Sequence, residues 1–256
     1  MGRLDNRVAI VTGGSHGERA ALGAVFAKAL AAEGANVVVA DIRDCSSVVG
    51  EIEAAGGRAL GLRVDVRNQD SVNAMVAAAV GRFGQIDILV NNAAIGSNIP
   101  PVSVTDIGMD AWDDIYAVNV RGPFLCVKAA VPHMRLRNYG KIINIGSSMM
   151  YSGAPNRLHY VSAKGAVLAM SRALSRELGP HGICVNTLAY GLVTSRINEQ
   201  ALDDDIEYRN HAFKPRAMPV HLRAEDLVGG LVFLASAESD HMTGQCLMVD
   251  PGSIHN

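Results

Sequence analysis

Apolar residues fall into two alternating rhythms along this chain. The first is a set of short, nearly unbroken runs: Val8–Val11, Asn36–Ala40, Ala59–Val64, Ile86–Val90, Lys141–Ile145, Ile183–Leu188 and Gln245–Val249. Runs like these read as strands buried on both faces. The second is a helical rhythm over Gly23–Glu33, Ser47–Ala55, Gln69–Phe83, Ala111–Arg137, Leu158–Leu178 and Leu227–Ser236. Gly34 follows the first helix as a C-cap, and the fourth carries Pro123 inside and Pro132 late. Strand and helix alternate, so the expected class is α/β: a doubly wound parallel sheet of about seven strands with helices on both faces. No Pro/Ser/Gly-rich linker or charge block divides the chain, which is read as a single domain over 1–256. The rhythm fails once, over Ser195–Ala224, a polar and charged stretch with Asp203-Asp204-Asp205 at its middle. Such an interruption is expected to be a substrate-binding loop or flap, and the acidic triplet reads as a solvated face rather than a metal site.

In open parallel sheets ligands bind at the carboxyl ends of the strands. Thr12, Asp41, Asp65, Asn91 and Ser147 all stand at strand ends. The first unit is the most specific. Val8–Val11 runs into Thr12-Gly13-Gly14, a helix follows, and a second strand ends in Asp41. This is a Rossmann-like βαβ unit for a dinucleotide. Bare amides and a helix N-terminus receive the pyrophosphate, and the carboxylate accepts from the adenosine ribose hydroxyls. Asp41 would repel a 2′-phosphate, which favours NAD over NADP, although Arg43 offers a partial counter-charge.

Tyr160-Val161-Ser162-Ala163-Lys164 carries the candidate chemistry. Residues four apart share one face of a helix, so the ammonium lies beside the phenol. A nearby cation favours phenolate and lowers a pKa that is ordinarily about 10. The pair can then exchange a proton with a substrate oxygen near neutral pH. Ser147, where an apolar strand meets a loop, can hold the same oxygen. On its own the spacing is weak, because both residues are common on solvated helix surfaces.

Composition narrows the classes. The chain has 256 residues, a formal net charge of −2 and 49% hydrophobic residues, which is an ordinary globular balance. Near-neutral charge argues against nucleic acid as a partner. No apolar run approaches the ~20 residues that span a bilayer. Cys45, Cys126, Cys184 and Cys246 are far apart and read as reduced thiols of a cytoplasmic protein, and no metal site is expected.

With Thr12-Gly13, Asp65-Val66, Asn91-Asn92-Ala93, Val118-Asn119-Val120, Ser147, Tyr160-x-x-x-Lys164 and Val185-Asn186 in this order, the chain resembles the short-chain dehydrogenase/reductase family over essentially its whole length. The resemblance implies an acid/base role for Tyr160 and a substrate-positioning role for Ser147. It gives Lys164 the nicotinamide ribose and Asn119 a water that continues the proton relay. It places Asp65, Val66, Asn91, Ala93 and Val193 along the cofactor, and Met149 and Tyr190 beside the substrate. It also implies a homotetramer built through the long helices and the C-terminal strand.

The family loop usually reads Thr-Gly-x-x-x-Gly-x-Gly, and this chain departs from it. Gly17 fits the second glycine, but Arg19 holds the third place. The segment from Gly23 to Leu30 matches the residues that normally follow the third glycine. The expected result is an enlarged phosphate loop in which Gly23 packs closely, with Ser15, His16, Gly17 and Arg19 near the pyrophosphate or adenine ribose. Arg19 reads as a phosphate ligand or as a solvated arginine. The function expected is NAD(H)-dependent interconversion of a secondary alcohol and a ketone, on a cyclic, aromatic or polyol substrate of moderate size. The alternatives are an NADPH-dependent 3-oxoacyl-type reductase and a non-catalytic dinucleotide binder.

Overall fold

The first strand shows why the apolar runs lack a polar alternation. Ala9 and Val11 enter one core with Val37, Val39, Ile143 and Ile145. Ile10 enters the other, with Val38, Leu89 and Ile142. Successive strand side chains point to opposite faces, so a strand covered on both sides needs apolar residues at every position.

The computed structural model describes residues 2–16, 22–96, 99–194 and 216–254. Its strands are β1 (Val8–Thr12), β2 (Asn36–Asp41), β3 (Arg58–Arg63), β4 (Ile88–Asn91), β5 (Gly140–Ile145), β6 (Ile183–Tyr190) and β7 (Cys246–Val249). All pair in parallel, in the order β3-β2-β1-β4-β5-β6-β7. The order reverses between β1 and β4, which is the switch point of a Rossmann-like sheet. The helices are α1 (Leu22–Ala32), α2 (Ser46–Ala54), α3 (Gln69–Phe83), α4 (Met109–Tyr116), α5 (Gly122–Arg137), α6 (Met149–Ser152), α7 (Leu158–Leu178) and α8 (Val228–Ala235). α1, α2 and α8 bury their apolar sides in one core; α3, α5 and the end of α7 bury theirs in the other. The expected α/β class and sheet are what the chain forms.

Three boundaries differ from the pattern. The long fourth helix is α4 and α5 joined by a π-helical turn, Ala117–Arg121, where the Gly122 amide bonds five residues back to Ala117. Pro123 falls in the first turn of α5, where a missing N–H costs nothing. α6 has too few residues to show periodicity, and Gly153 ends it at φ 65°. β6 runs on to Tyr190, two residues past its expected end at Leu188. Of the expected flap, 195–215 lies outside the described residues, and so do Gly17, Glu18 and Arg19.

The amino end of the sheet is closed by charged side chains. The buried Asp87 carboxylate accepts from the Val8 amide at 2.9 Å, Gln85 at 2.6 Å and Arg7 at 3.1 Å. Lys141 of β5 pairs with Asp240 at 2.7 Å and bonds the Ser239 hydroxyl at 3.1 Å.

Candidate active site

At the opposite end, the loops after β1 and β4 are tied together. The Thr12 hydroxyl accepts from the Asn92 and Ala93 amides, both at 3.1 Å. The Asn92 side chain donates to the Thr12 and Gly13 carbonyls at 3.0 and 2.9 Å. Thr12 and Asn92 therefore shape the floor of the crevice, although the sequence marked them only as motif members. Gly13 adopts φ +63°, and a Cβ there would lie 2.8 Å from the Ala93 backbone. A Cβ on Gly23 would lie 1.9 Å from the Gly13 carbonyl oxygen, so α1 approaches β1 at a distance only glycine permits.

Asp41 ends β2 with one oxygen on the Ser15 amide at 3.1 Å and the other on the Arg43 amide at 2.9 Å. Ser15 is buried, and its hydroxyl has no partner among the described residues. His16 is exposed and bonds Glu51 of α2, which also holds Lys28 at 2.8 Å. Asp65 grips Arg67 through both oxygens, at 3.0 and 2.9 Å, and this bridge holds its carboxyl below the usual range. Val66 is buried against Gly122. Asn91 donates to Asn144 at 2.8 Å, while its own side-chain oxygen has no partner among the described residues. Val193 bridges to Leu222 beyond β6.

The proton-handling residues converge around β5 and α7. Ser147 follows β5, is buried, and lies where its hydroxyl favours the charged form of the Tyr160 phenol. Lys164 is buried one turn along, and its Nζ donates to the Ile145 carbonyl at 2.8 Å. That nitrogen lies 5.8 Å from the centre of the Tyr160 ring. Asn119 sits in the π-helical turn, a distortion found mostly at functional positions. Its amide accepts from the Ile95 N–H and donates to the Ile95 carbonyl, both at 2.8 Å. Gly96 then passes so close that a Cβ would lie 3.1 Å from the tyrosine ring. Sequence reasoning missed Ile95 and Gly96; the glycine just past the β4 motif was the available signal. Met149 donates its amide to the Ser147 hydroxyl at 3.3 Å. Tyr190 lies close enough that its phenol is pushed up, by burial first and by Tyr160 second.

The electrostatics correct one expectation. Lys164 does not pull the Tyr160 phenol down. Burial pushes that phenol up, against smaller opposing effects of the Ser147 hydrogen bond and the Arg157 charge. Burial lowers Lys164 itself to about 8. In a desolvated site each group favours its neutral form, and that outweighs the pair attraction expected from helical spacing. His159, beside the tyrosine, is buried with no partner for Nδ1 among the described residues.

This architecture has counterparts. The profile of a family described as enoyl-(acyl carrier protein) reductase matches residues 17–253. The short-chain reductase protein NovJ of Streptomyces niveus is 38% identical, covering 96% of this chain and 93% of its own. The (2S)-[(R)-hydroxy(phenyl)methyl]succinyl-CoA dehydrogenase subunit BbsD of Thauera aromatica is 36% identical over 97% of both chains. The 2,5-dichloro-2,5-cyclohexadiene-1,4-diol dehydrogenase LinX of Sphingobium indicum is 36% identical over 98% and 97%. The chain belongs to the short-chain dehydrogenase/reductase family. It is thus an oxidoreductase of a family that binds a nicotinamide dinucleotide. The strand ends fit such a group. Two buried polar atoms there, Ser15 Oγ and Asn91 Oδ1, have no partner among the described residues. No described helix is long and apolar enough to cross a membrane.

Proposed function

We propose that the protein interconverts a secondary alcohol and a ketone with NAD(H). The observation that carries this reading is the convergence of buried Ser147 and buried Lys164 on Tyr160, with Lys164 Nζ 5.8 Å from the centre of its ring. A structural tyrosine needs no such pair at the carboxyl end of a parallel sheet. When bound, the dinucleotide supplies the hydride chemistry. The chain supplies the rest. Gly13, Ser15, Gly23, Asp41, Asp65, Val66, Asn91, Ala93 and Val193 would hold it, with Gly17 in the same loop. Ser147 and Tyr160 would grip the substrate oxygen together. Tyr160 would donate its proton in reduction and take one back in oxidation. Its raised pKa makes it a proton donor at neutral pH. Asn119 locks the Ile95–Gly96 turn against the tyrosine ring and so fixes the phenol's direction.

Asp41 supports NAD, because a carboxylate at the end of β2 suits a free ribose 2′-hydroxyl and disfavours a phosphate. The names of BbsD and LinX each describe an alcohol on or beside a six-membered ring, which supports a cyclic or aromatic substrate. Met149 and Tyr190 offer the adaptable and aromatic walls such a ring needs. Calorimetric titration with NADH and NADPH, followed by an alcohol screen, tests the reading. NADH should bind at micromolar Kd with NADPH weaker. Tyr160→Phe should cut turnover on the order of 10³-fold and leave NADH affinity nearly unchanged. Stronger NADPH binding would favour a 3-oxoacyl-type reductase; binding of neither would favour a non-catalytic protein.

We also propose a homotetramer. Phe124 and Leu136 of α5 are large apolar residues left 48% and 84% exposed, and the edge strand β7 is half-exposed along its length. Sedimentation giving only monomer would overturn this.

A further inference from the structure

Glu51 of α2 reaches His16 at the start of the Gly13–Gly23 loop and belongs to no motif. Its two oxygens hold two different partners. One takes the His16 ring, and the other takes Lys28 Nζ at 2.8 Å, with the Ser47 hydroxyl at 3.4 Å from the first. His16 adjoins Ser15, whose amide is bound by Asp41. Two carboxylates from β2 and α2 therefore grip consecutive residues at the start of the Gly13–Gly23 loop. Lys28 lies on α1, the helix whose N-terminus closes that loop. An ammonium and an imidazole N–H are the kind of donors an additional phosphate on the ribose would recruit. Glu51 already occupies them, and it stays ionised throughout the neutral range, its carboxyl drawn down to about 2 by Lys28 and then His16.

We propose that Glu51 is a specificity-determining residue: its carboxylate stands in for a 2′-phosphate between His16 and Lys28, and so denies those donors to NADP(H). This rests on the dinucleotide reading above, and it adds a second negative group to Asp41 that discriminates by a different route. Asp41 faces the ribose hydroxyls; Glu51 neutralises what would attract the phosphate. A scaffolding role predicts something else. Loosening the loop would weaken both cofactors alike.

The test is calorimetric Kd for NADH and NADPH with the full-length protein, in parallel with melting temperature. In Glu51→Gln, Lys28 loses its counter-charge and His16 its anionic partner. The NADPH-to-NADH ratio of Kd should fall roughly tenfold at low salt, with NADH affinity nearly unchanged. The gain should shrink at ~1 M salt, where the Debye length is about 3 Å. It should vanish in Glu51→Gln/Lys28→Ala. An unchanged ratio overturns the proposal, as does an equal loss for both cofactors with a lower Tm. If the wild-type protein binds neither dinucleotide, the functional reading itself falls. If it binds NADH and the ratio does not respond, only the role of Glu51 falls.

Discussion

A buried lysine lies at each end of β5, Lys141 within the strand and Lys164 on α7, and among the described residues only the first has a counter-ion. At the amino end Lys141 is 1% exposed and meets Asp240 at 2.7 Å and the Ser239 hydroxyl at 3.1 Å. At the carboxyl end Lys164 is 4% exposed, donates to the Ile145 carbonyl at 2.8 Å, and pairs with no carboxylate among the described residues. Burying an ammonium is costly unless it is paired and hydrogen-bonded. The fold meets that requirement at the end that only holds the sheet together. It leaves the requirement unmet where proton transfer takes place, and Lys164 falls from an ordinary 10.5 to about 8. A buried, perturbed titratable group in a crevice is the physical mark of a working site.

Substituting each lysine by methionine separates the two roles. Lys164→Met should lower turnover on the order of 10²-fold. It should not lower the melting temperature, since relieving the buried charge outweighs one lost hydrogen bond of about 1 kcal/mol. Lys141→Met should behave the opposite way. Asp240 is half-exposed and can rehydrate, so the cost should be only about 1–2 kcal/mol of stability, with turnover per folded molecule kept. Denaturant midpoints and steady-state rates on both variants check this. If Lys141→Met lost activity without losing stability, the division between the two ends would be wrong.

The same division explains what the sequence could show. The central strands were legible because burial on both faces favours apolar residues on both, as Val8–Val11 shows. Gln69–Phe83 and Leu158–Leu178 were legible to the residue, because a capping Asn68 and a left-handed Gly84 bound the first, and Tyr160 and Lys164 anchor the second. The π-helical turn at Ala117–Arg121 was not legible, because one extra residue in a turn leaves the apolar rhythm almost unchanged. The Ile95–Gly96 turn was missed because its partner, Asn119, is 24 positions away. The Tyr160 pKa was misread for a related reason. Spacing on a helix shows which charge is near, whereas desolvation depends on everything packed around it.

The smallest effect is also the cleanest test of the comparison. The folded-state pKa of Lys164 lies below its unfolded value, so the fold binds fewer protons at this group than the unfolded chain does. Stability contributed by this group therefore rises with pH between about 8 and 10.5. The burial cost is full below that window, roughly 3 kcal/mol, and relieved above it. Other groups titrate in the same range and obscure a single curve. They cancel in the difference between Lys164→Met and the wild type, which should favour the variant most at neutral pH. That difference should narrow by about 1 kcal/mol from roughly pH 7 to 9. Chemical denaturation of both proteins across this range measures it. A difference that stays constant would mean that Lys164 keeps its proton in the fold and finds a charge partner elsewhere. A widening one would mean that the fold stabilises Lys164 as an ammonium.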